Sequence, residues 1–300
     1  MFRSGKQVSR RGGVYTPAIL LLTTIVGISF LGFGFIVPLR TLYGREVGAS
    51  SVEIGLMTSS FLLAGFVATP FVGRLADRLG YKNVLWFGLL MHALLILAYI
   101  PAQNPFLLIG LRALEGIAAS SVLPPARALV NGLAPRARQG EALGLLSAFQ
   151  MVGILIGPTL GTLLASQVGY AWSFVVASLP LFLSTVVALF VLPNAHKTDA
   201  SEAERALELA SPTKLFTRPL VVTYSLQIVL SLIQGVAMAV WTLYMLDRGA
   251  SLFLIGLSFT TFALPVILLA PVAGRLSDLY GRYRTLIFGL FLSSLIFYLY

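Results

Sequence analysis

The sequence predicts an all-helical membrane protein, on the basis of its composition, its long uncharged runs and the uneven placement of its basic residues. Of the 300 residues, 57% are hydrophobic and 11% are charged, and the mean hydropathy is +0.90. Soluble domains carry roughly 25% charged residues, so this composition excludes an ordinary water-soluble fold. About 20 apolar residues suffice for one helix to cross a bilayer.

The uncharged runs predict nine membrane-spanning helices. Two runs are long enough for two helices each, and we divide them at residues 101–105 and 166–169, because proline and small polar residues interrupt helices. The last span stops at Tyr300. The spans cover residues 17–38, 54–72, 83–101, 105–126, 142–165, 171–192, 219–245, 252–272 and 284–300.

The basic residues predict the orientation in the membrane. With a cytoplasmic N terminus, the inner loops hold 17 of the 21 Lys and Arg residues, the outer loops hold Arg40, Arg45 and Arg248, and Arg112 lies within a span. This asymmetry is typical of the positive-inside rule and predicts a multi-pass plasma-membrane protein.

The basic residues form no single face with aromatic neighbours, so we expect no nucleic-acid partner. The absence of cysteine excludes disulfides and thiolate metal sites.

The sequence repeats itself at an offset of 201 residues. Residues 41–43 match 242–244, residues 48–50 match 249–251, and GRLADRLGYKNVLWFGL from Gly73 shares nine of 17 positions with GRLSDLYGRYRTLIFGL from Gly274. Both copies have the same predicted orientation, which indicates a parallel repeat. We therefore expect a six-helix bundle over 1–193, a charged cytoplasmic linker over 194–218 and a partial second bundle over 219–300 that lacks three helices.

Residues 73–82, GRLADRLGYK, carry four of the chain's charges in ten residues. They resemble the major facilitator superfamily signature Gly-x-x-x-Asp-Arg-x-Gly-Arg-Lys, with Tyr81 at one basic position, and the resemblance covers the whole chain. It implies two parallel six-helix repeats that transport by alternating access, closed at the cytoplasmic side by this loop and its copy. Glycine allows close approach and reversal, and Asp77 can cap a helix. Topology anchoring alone is the alternative. The residues concerned are Gly73, Asp77, Arg78, Gly80, Lys82, Gly274, Asp278, Gly281 and Arg282.

Arg112 and Glu115 lie three residues apart in the fourth span and therefore on one helix face. Ionisable residues in a membrane cost on the order of 3 kcal/mol each, which makes them functional candidates that should face a central cavity. Arg112 and Gly116 resemble the family's fourth-helix Arg-x-x-x-Gly signature, which implies a role in proton coupling, with Glu115 as the proton carrier. A static ion pair is the alternative.

The fifth span contains a regular series of glycines. Their spacing resembles the family signature Gly-x8-Gly-x3-Gly-Pro-x2-Gly-Gly of exporters that exchange substrate for protons, although Thr162 replaces the last glycine; a packing seam is the alternative. The matching residues are Gly144, Gly153, Gly157, Pro158 and Gly161.

In the seventh span Gln227, Gln234 and Trp241 are possible substrate contacts, and an interfacial aromatic belt is the alternative for Trp241.

The resemblance implies proton-coupled export of drug-like or other small apolar molecules by a monomer surrounded by lipid. Transport of a sugar, metabolite or siderophore is the alternative within the same fold, and a non-transporting receptor or scaffold is the alternative class. An enzyme is not expected, because the membrane spans offer neither paired acids nor a nucleophile with a base. We expect no metal, since His92 and His196 lack companion ligands, and no other cofactor.

Overall fold

A computed structural model of the protein describes residues 15–135, 138–192, 225, 235, 240–261, 264, 281, 284–285 and 287–292. All regular secondary structure in these residues is helical, as predicted. Residues 240–247 and Leu252–Thr261 are helical in the second half. The helices of the first half are α1 (Pro17–Glu46), α2 (Ser51–Leu79), α3 (Tyr81–Leu97), α4 (Pro105–Ser120), α5 (Leu123–Leu133) and α6 (Gln139–Phe190).

The first helix is longer than the sequence predicts. The hydroxyl of Thr16 accepts a hydrogen bond from the backbone of Ile19, and α1 then continues through Pro38 to Glu46. The prediction that the span ends at residue 38 was therefore wrong, and Arg40 lies inside the helix, only 8% exposed, rather than in an outer loop. The sequence prediction ended the span here because Arg40 is the first charged residue after the uncharged run. A buried arginine is nevertheless tolerated inside a helix bundle when a carboxylate pairs with it.

The predicted break in the longest uncharged run is confirmed. Helix α6 spans 52 residues, but Gly169 has φ 80° and ψ 174°, so two helices meet there. Glycine is required because side chains strongly disfavour this backbone conformation. The fourth predicted span instead consists of two helices. Helix α4 ends at Ser120, and α5 begins at Leu123, directly before Pro124 and Pro125. Proline fits the first turn of a helix, where its missing N–H costs nothing.

Four helical stretches among the described residues are long and apolar enough to cross a membrane. Helix α1 packs mainly on α6, and α2 packs mainly on α4, with α3 contacting α4, α5 and α6. The buried apolar side chains of α1 and α3 form one core with those of α4 and α6. The four stretches are Pro17–Glu46, Ser51–Leu79, Pro105–Leu133 and Gln139–Phe190.

The duplication seen in the sequence recurs in the backbone. Gly48 and Gly249, 201 residues apart, have φ values of 91° and 75°, and Gly80 and Gly281 have φ values of 92° and 86°. The amides that follow the first pair donate equivalent hydrogen bonds, from Ala49 to the Gly44 carbonyl at 2.8 Å and from Ala250 to the Met245 carbonyl at 3.0 Å. The two halves therefore end their equivalent helices in the same way. The predicted linker, 194–218, lies outside the described residues.

Candidate functional site

A cluster of polar side chains surrounds Glu115, which is fully buried in α4. One carboxylate oxygen, Oε1, accepts a hydrogen bond from Arg40 Nη2 at 2.9 Å. The other, Oε2, accepts from Arg112 Nη1 at 2.8 Å and from the Tyr99 hydroxyl at 3.0 Å. Arg112 and Glu115, which the sequence predicts to share one helix face, are thus in direct contact. We call Arg40, His92, Tyr99, Arg112 and Glu115 the charge cluster.

The cluster joins three helices at one end of the bundle. Arg40 lies in the last two turns of α1 and His92 in the last two turns of α3, whereas Arg112 lies in the third turn of α4. The Arg112 guanidinium also stacks on the Phe61 ring of α2, 4.1 Å from the ring centre. A guanidinium favours such a site because its plane can stack while its edge binds a carboxylate. The cluster therefore joins α1, α3 and α4, and Arg112 adds a contact to α2 through Phe61.

His92 contributes a buried imidazole to the cluster. Its Nε2 lies 3.7 Å from Glu115 Oε1, which is beyond hydrogen-bond distance. Neither ring nitrogen has a hydrogen-bond partner in the part of the chain that the structure describes. The ring packs edge-on against Phe33, with centres 4.2 Å apart. The sequence offered His92 no metal-binding companions, and among the described residues no group of metal ligands is found.

The sequence analysis missed Arg40 and Tyr99 as members of the cluster. For Arg40, the repeat contained the missing signal, because the 201-residue offset maps Arg40 onto Trp241. Trp241 lies inside the predicted seventh span, 219–245, and the equivalent residue of the first half should therefore also lie inside a span. Nothing comparable indicates Tyr99, which follows α3 in the sequence and reaches Glu115 only because α3 packs on α4.

The loop at residues 73–82 reverses the chain between α2 and α3. Gly80 ends α2 with a positive φ, and α3 begins without any side-chain cap, so Asp77 does not cap it. The exposed Asp77 instead accepts a hydrogen bond from the Tyr81 hydroxyl at 2.7 Å. Lys82 Nζ donates to the Leu192 carbonyl at 2.6 Å and so ties the loop to the chain just beyond α6.

The other residues of this motif are less constrained by the described contacts. Arg78 is exposed, and a Cβ added at Gly73 meets nothing within 4 Å among the described residues, so the close approach expected there is not found among them. In the second copy, Gly281 shows the expected positive φ. Gly274, Asp278 and Arg282 lie outside the described residues.

The glycine series on α6 lies directly against the backbone of α1. A Cβ added at Gly153 lies 2.6 Å from the Gly27 carbonyl oxygen, and one added at Gly157 lies 2.6 Å from the Phe35 nitrogen. Gly161 packs equally closely on the Phe35 carbonyl. We call these three residues the glycine seam. Gly144, the first member of the predicted motif, has nothing within 4 Å of an added Cβ among the described residues.

The opposite side of the same helix segment contacts the second half of the chain. A Cβ added at Gly256 would meet Thr162 Oγ1 and would lie 2.8 Å from the Pro158 carbonyl oxygen. The hydroxyls of Thr159 and Thr260 are 2.7 Å apart, and the Thr260 hydroxyl also hydrogen-bonds the backbone of α6. Thr162, which departs from the family pattern, therefore packs against a glycine of the facing helix.

We expect Gly256→Ala to lower the melting temperature of the purified protein, because the added methyl group collides with Thr162 and with the backbone at Pro158. Overpacking of this kind costs about 1–3 kcal/mol. Gly55→Ala is the matched control, since Gly55 is the repeat equivalent of Gly256 and an added Cβ there has open space among the described residues. Equal melting temperatures for the two variants would contradict the prediction. Thr162→Gly should partly restore the stability of Gly256→Ala.

The predicted substrate contacts of the seventh span are only partly described. Trp241 is half-buried, and its indole Nε1 donates to the Ser258 hydroxyl at 2.8 Å. Its ring lies 6.2 Å from that of Tyr244. The indole nitrogen is therefore engaged within the protein. Gln227 and Gln234 lie outside the described residues.

The fold and the site define a polytopic helical membrane protein built from a duplicated bundle, with a cluster of ionisable side chains buried between its helices. A sequence model of the Major Facilitator Superfamily matches residues 19–246 and 223–300. The chain belongs to this superfamily of transporters. The predicted family and fold are confirmed, and the chain is a transporter rather than an enzyme.

Curated relatives and a solved structure agree with this assignment. The chain is 31% identical over 291 residues to the multi-drug resistance efflux pump PmrA homolog of Lactococcus lactis, covering 92% of this chain and 71% of the relative. It is 30% identical to the multidrug resistance protein MdtG of Proteus mirabilis, covering 87% and 67%. A bacterial homolog of the human lysosomal transporter Spinster has a TM-score of 0.72 at 16% identity, covering 89% and 63%. At this identity the structural similarity concerns the fold alone.

Proposed function

We propose that the protein exports drug-like or other small apolar molecules in exchange for protons. The observation that carries the proposal is the 31% identity, over 92% of this chain, to a relative named as a multi-drug efflux pump. The substrate class follows from that similarity. The many exposed large apolar side chains of the bundle are compatible with it, since apolar molecules reach such a protein through the bilayer.

The charge cluster supports a role for Glu115 as the proton carrier. Its carboxylate joins Arg40 of α1 to Arg112 of α4. Protonation removes the negative charge and leaves two neighbouring guanidinium groups without a counter-ion, which weakens the contact between the two helices. Proton binding to Glu115 would thereby allow α1 to move relative to α4.

The glycine seam and the loop at 73–82 support alternating access. Transporters of this kind move one bundle against the other around a central site. The segment of α6 that carries the seam also contacts Leu252–Thr261 of the second half, so it lies where the two halves meet. The loop at 73–82 and its copy would close the cytoplasmic end, with Asp77 as the contacting group. Gln227, Gln234 and Trp241 remain proposed substrate contacts.

The proposal includes the placement of the protein in the cell. The positive-inside distribution of Lys and Arg supports a plasma-membrane protein with a cytoplasmic N terminus. Arg78 and Lys82 would then lie near the phosphates of the inner leaflet. We expect a monomer, because the transport pathway of this fold lies between two bundles of one chain.

The proposed function is tested by replacing the proton-carrying group. We expect Glu115→Gln to reduce proton-gradient-driven efflux of fluorescent drugs at least tenfold in membrane vesicles, because glutamine cannot exchange a proton. Downhill exchange of the same drugs across the vesicle membrane, measured without a gradient, should be reduced much less. The measurement is the rate of fluorescence change after a pH gradient is imposed on vesicles with and without the protein.

Glu141→Gln is the matched control. Glu141 lies in the first turn of α6 and pairs with Arg138, with both side chains more than 40% exposed. This variant should retain gradient-driven efflux. If Glu115→Gln also retains it, Glu115 is not the coupling acid. If the unaltered protein drives no efflux of any of the drugs tested, the proposed substrate class is wrong.

A further inference from the structure

The charge cluster contains more positive than negative charge. Arg40 and Arg112 both bind Glu115, and no second carboxylate pairs with either arginine among the described residues. Arg40 and Arg112 are 8% and 7% exposed, and Glu115 is fully buried. Among the described residues, the other groups that contact these side chains include Tyr99 and His92 from the α3 side and Phe61 from α2, and none of these is an anion. With His92 neutral, the cluster therefore has a net charge of +1.

Arg40 also has an unused hydrogen-bond donor. Its Nε is buried and has no acceptor in the described part of the chain. A guanidinium carries five N–H donors, and a buried donor without an acceptor is unfavourable, more so when the group is charged. The unused donor belongs to one of the two arginines that carry the excess charge, so an additional anionic acceptor beside Arg40 would compensate both.

A small cavity lies beside the two arginines. Arg40 and Arg112 line it together with the hydroxyl-bearing residues Thr41 and Thr58, and its volume is about 40 Å³. One water molecule needs roughly 10–15 Å³ of such space, whereas drug-sized ligands occupy pockets of about 300–1,000 Å³. The cavity thus has room for one small ion or a single carboxylate group, and it is far too small for a whole drug molecule.

From these three observations we infer that the cavity between Arg40 and Arg112 is a binding site for one small monovalent anion, either a free halide or the carboxylate group of a larger molecule. The bound anion would bring the net charge of the cluster to zero and accept hydrogen bonds from guanidinium and hydroxyl groups. Such charge-assisted hydrogen bonds are the strong ones in proteins. This site goes beyond the proposed function, because export of an apolar molecule in exchange for protons requires no anion.

Anion binding can be measured on the purified full-length chain in detergent. The melting temperature is recorded against increasing sodium chloride or sodium formate, with sodium isethionate as a bulkier anion that keeps the ionic strength constant. A ligand that binds the folded state raises the melting temperature as its concentration passes its dissociation constant. We expect saturable stabilisation by chloride or formate and none by isethionate. A response to formate shows that the site accepts a carboxylate group, and a response to chloride alone shows a halide site.

Charge-altering variants should change the anion affinity in opposite directions. Arg40→Gln lowers the net charge of the cluster to zero and should weaken anion binding at least tenfold. Glu115→Gln raises the charge to +2 and should strengthen anion binding about tenfold, an effect that a purely structural role of Glu115 does not produce. Arg45→Gln is the control, because Arg45 lies one turn further along α1 and is exposed.

Thr58→Val provides a second test that leaves every charge in place. It removes the hydroxyl of a residue that lines the cavity, which otherwise donates a long hydrogen bond of 3.4 Å to the Ile54 carbonyl, and it should weaken anion binding several-fold even if Arg40→Gln does not fold. Equal stabilisation by chloride, formate and isethionate would overturn the inference, as would unchanged affinity in both Glu115→Gln and Thr58→Val. The assay uses neither drug nor proton gradient, so its failure would not affect the efflux proposal, and failure of the efflux assay would not affect this site.

Discussion

Gly157→Ala is expected to destabilise the protein strongly and to abolish most of its transport. The added methyl group would lie 2.6 Å from the backbone nitrogen of Phe35 and 2.7 Å from the carbonyl carbon of Gly34. Backbone atoms cannot rotate away as a side chain can, so α1 and α6 would have to separate along their whole contact. Overpacking in a core costs about 1–3 kcal/mol, and we expect the upper part of that range. The measurement is thermal unfolding in detergent, followed by the efflux assay.

The matched control is Gly144→Ala, a substitution in the same helix and in the same sequence motif. A Cβ at Gly144 has open space among the described residues. Alanine favours a helix over glycine by about 0.5–1 kcal/mol, so this variant should unfold at the same or a slightly higher temperature. An equal loss of stability in the two variants would show that the motif acts through something other than the close contact with α1.

Arg112→Ala is expected to have the second large effect. The substitution removes one of the two cations bound to the fully buried Glu115, together with the stacking contact on Phe61. Removing one partner of a buried ion pair costs about 3–5 kcal/mol when the remaining charge is left unpaired. Because Arg40 and Tyr99 still bind Glu115 in this variant, we expect the lower part of that range. The free energy of unfolding, measured by denaturant titration, should fall by that amount. Arg112→Lys should recover part of it, since the charge returns without the planar guanidinium.

An exposed pair in the same chain isolates the contribution of burial. Arg138 and Glu141 have the same three-residue spacing as Arg112 and Glu115, and both pairs are 2.8 Å apart. The Arg138 and Glu141 side chains are 44% and 41% exposed, and solvent screens such pairs so that they contribute little. Arg138→Ala should therefore change the stability by less than about 1 kcal/mol. A comparable loss in both variants would mean that burial does not determine the strength of the inner pair.

Local chemistry made several parts of this structure predictable. The break at Gly169 follows from a glycine among small polar residues in an uncharged run that is too long for one helix. The shared face of Arg112 and Glu115 follows from their spacing on a helix. The equivalent turns at Gly48 and Gly249 follow from the repeat, because the same sequence ends the same helix twice.

Other parts depend on how separate helices face one another. The contact between Arg40 and Glu115 joins residues 75 positions apart and is fixed by the rotation of α1 and α4 about their axes. A hydropathy profile treats a charge as the end of a span and has no term for a partner on another helix. Likewise, Thr162 departs from the glycine motif, and the residue that it packs against, Gly256, lies on another helix. The sequence cannot indicate such a pairing, because neither the threonine nor the glycine alone signals a contact with a distant residue.

The glycine seam holds α1 and α6 of the first half together, and this limits which surfaces can move in the proposed transport cycle. At Gly153, Gly157 and Gly161 the main chains of α1 and α6 touch with no side chains between them, so a rotation of either helix about its axis would bring bulky neighbours into that gap. In the proposed alternating access, α1 and the adjoining part of α6 would therefore move together. The displacement between the two halves would then occur on the other side of α6, where the contact is made by threonine hydroxyls and Gly256 rather than by interlocked leucines.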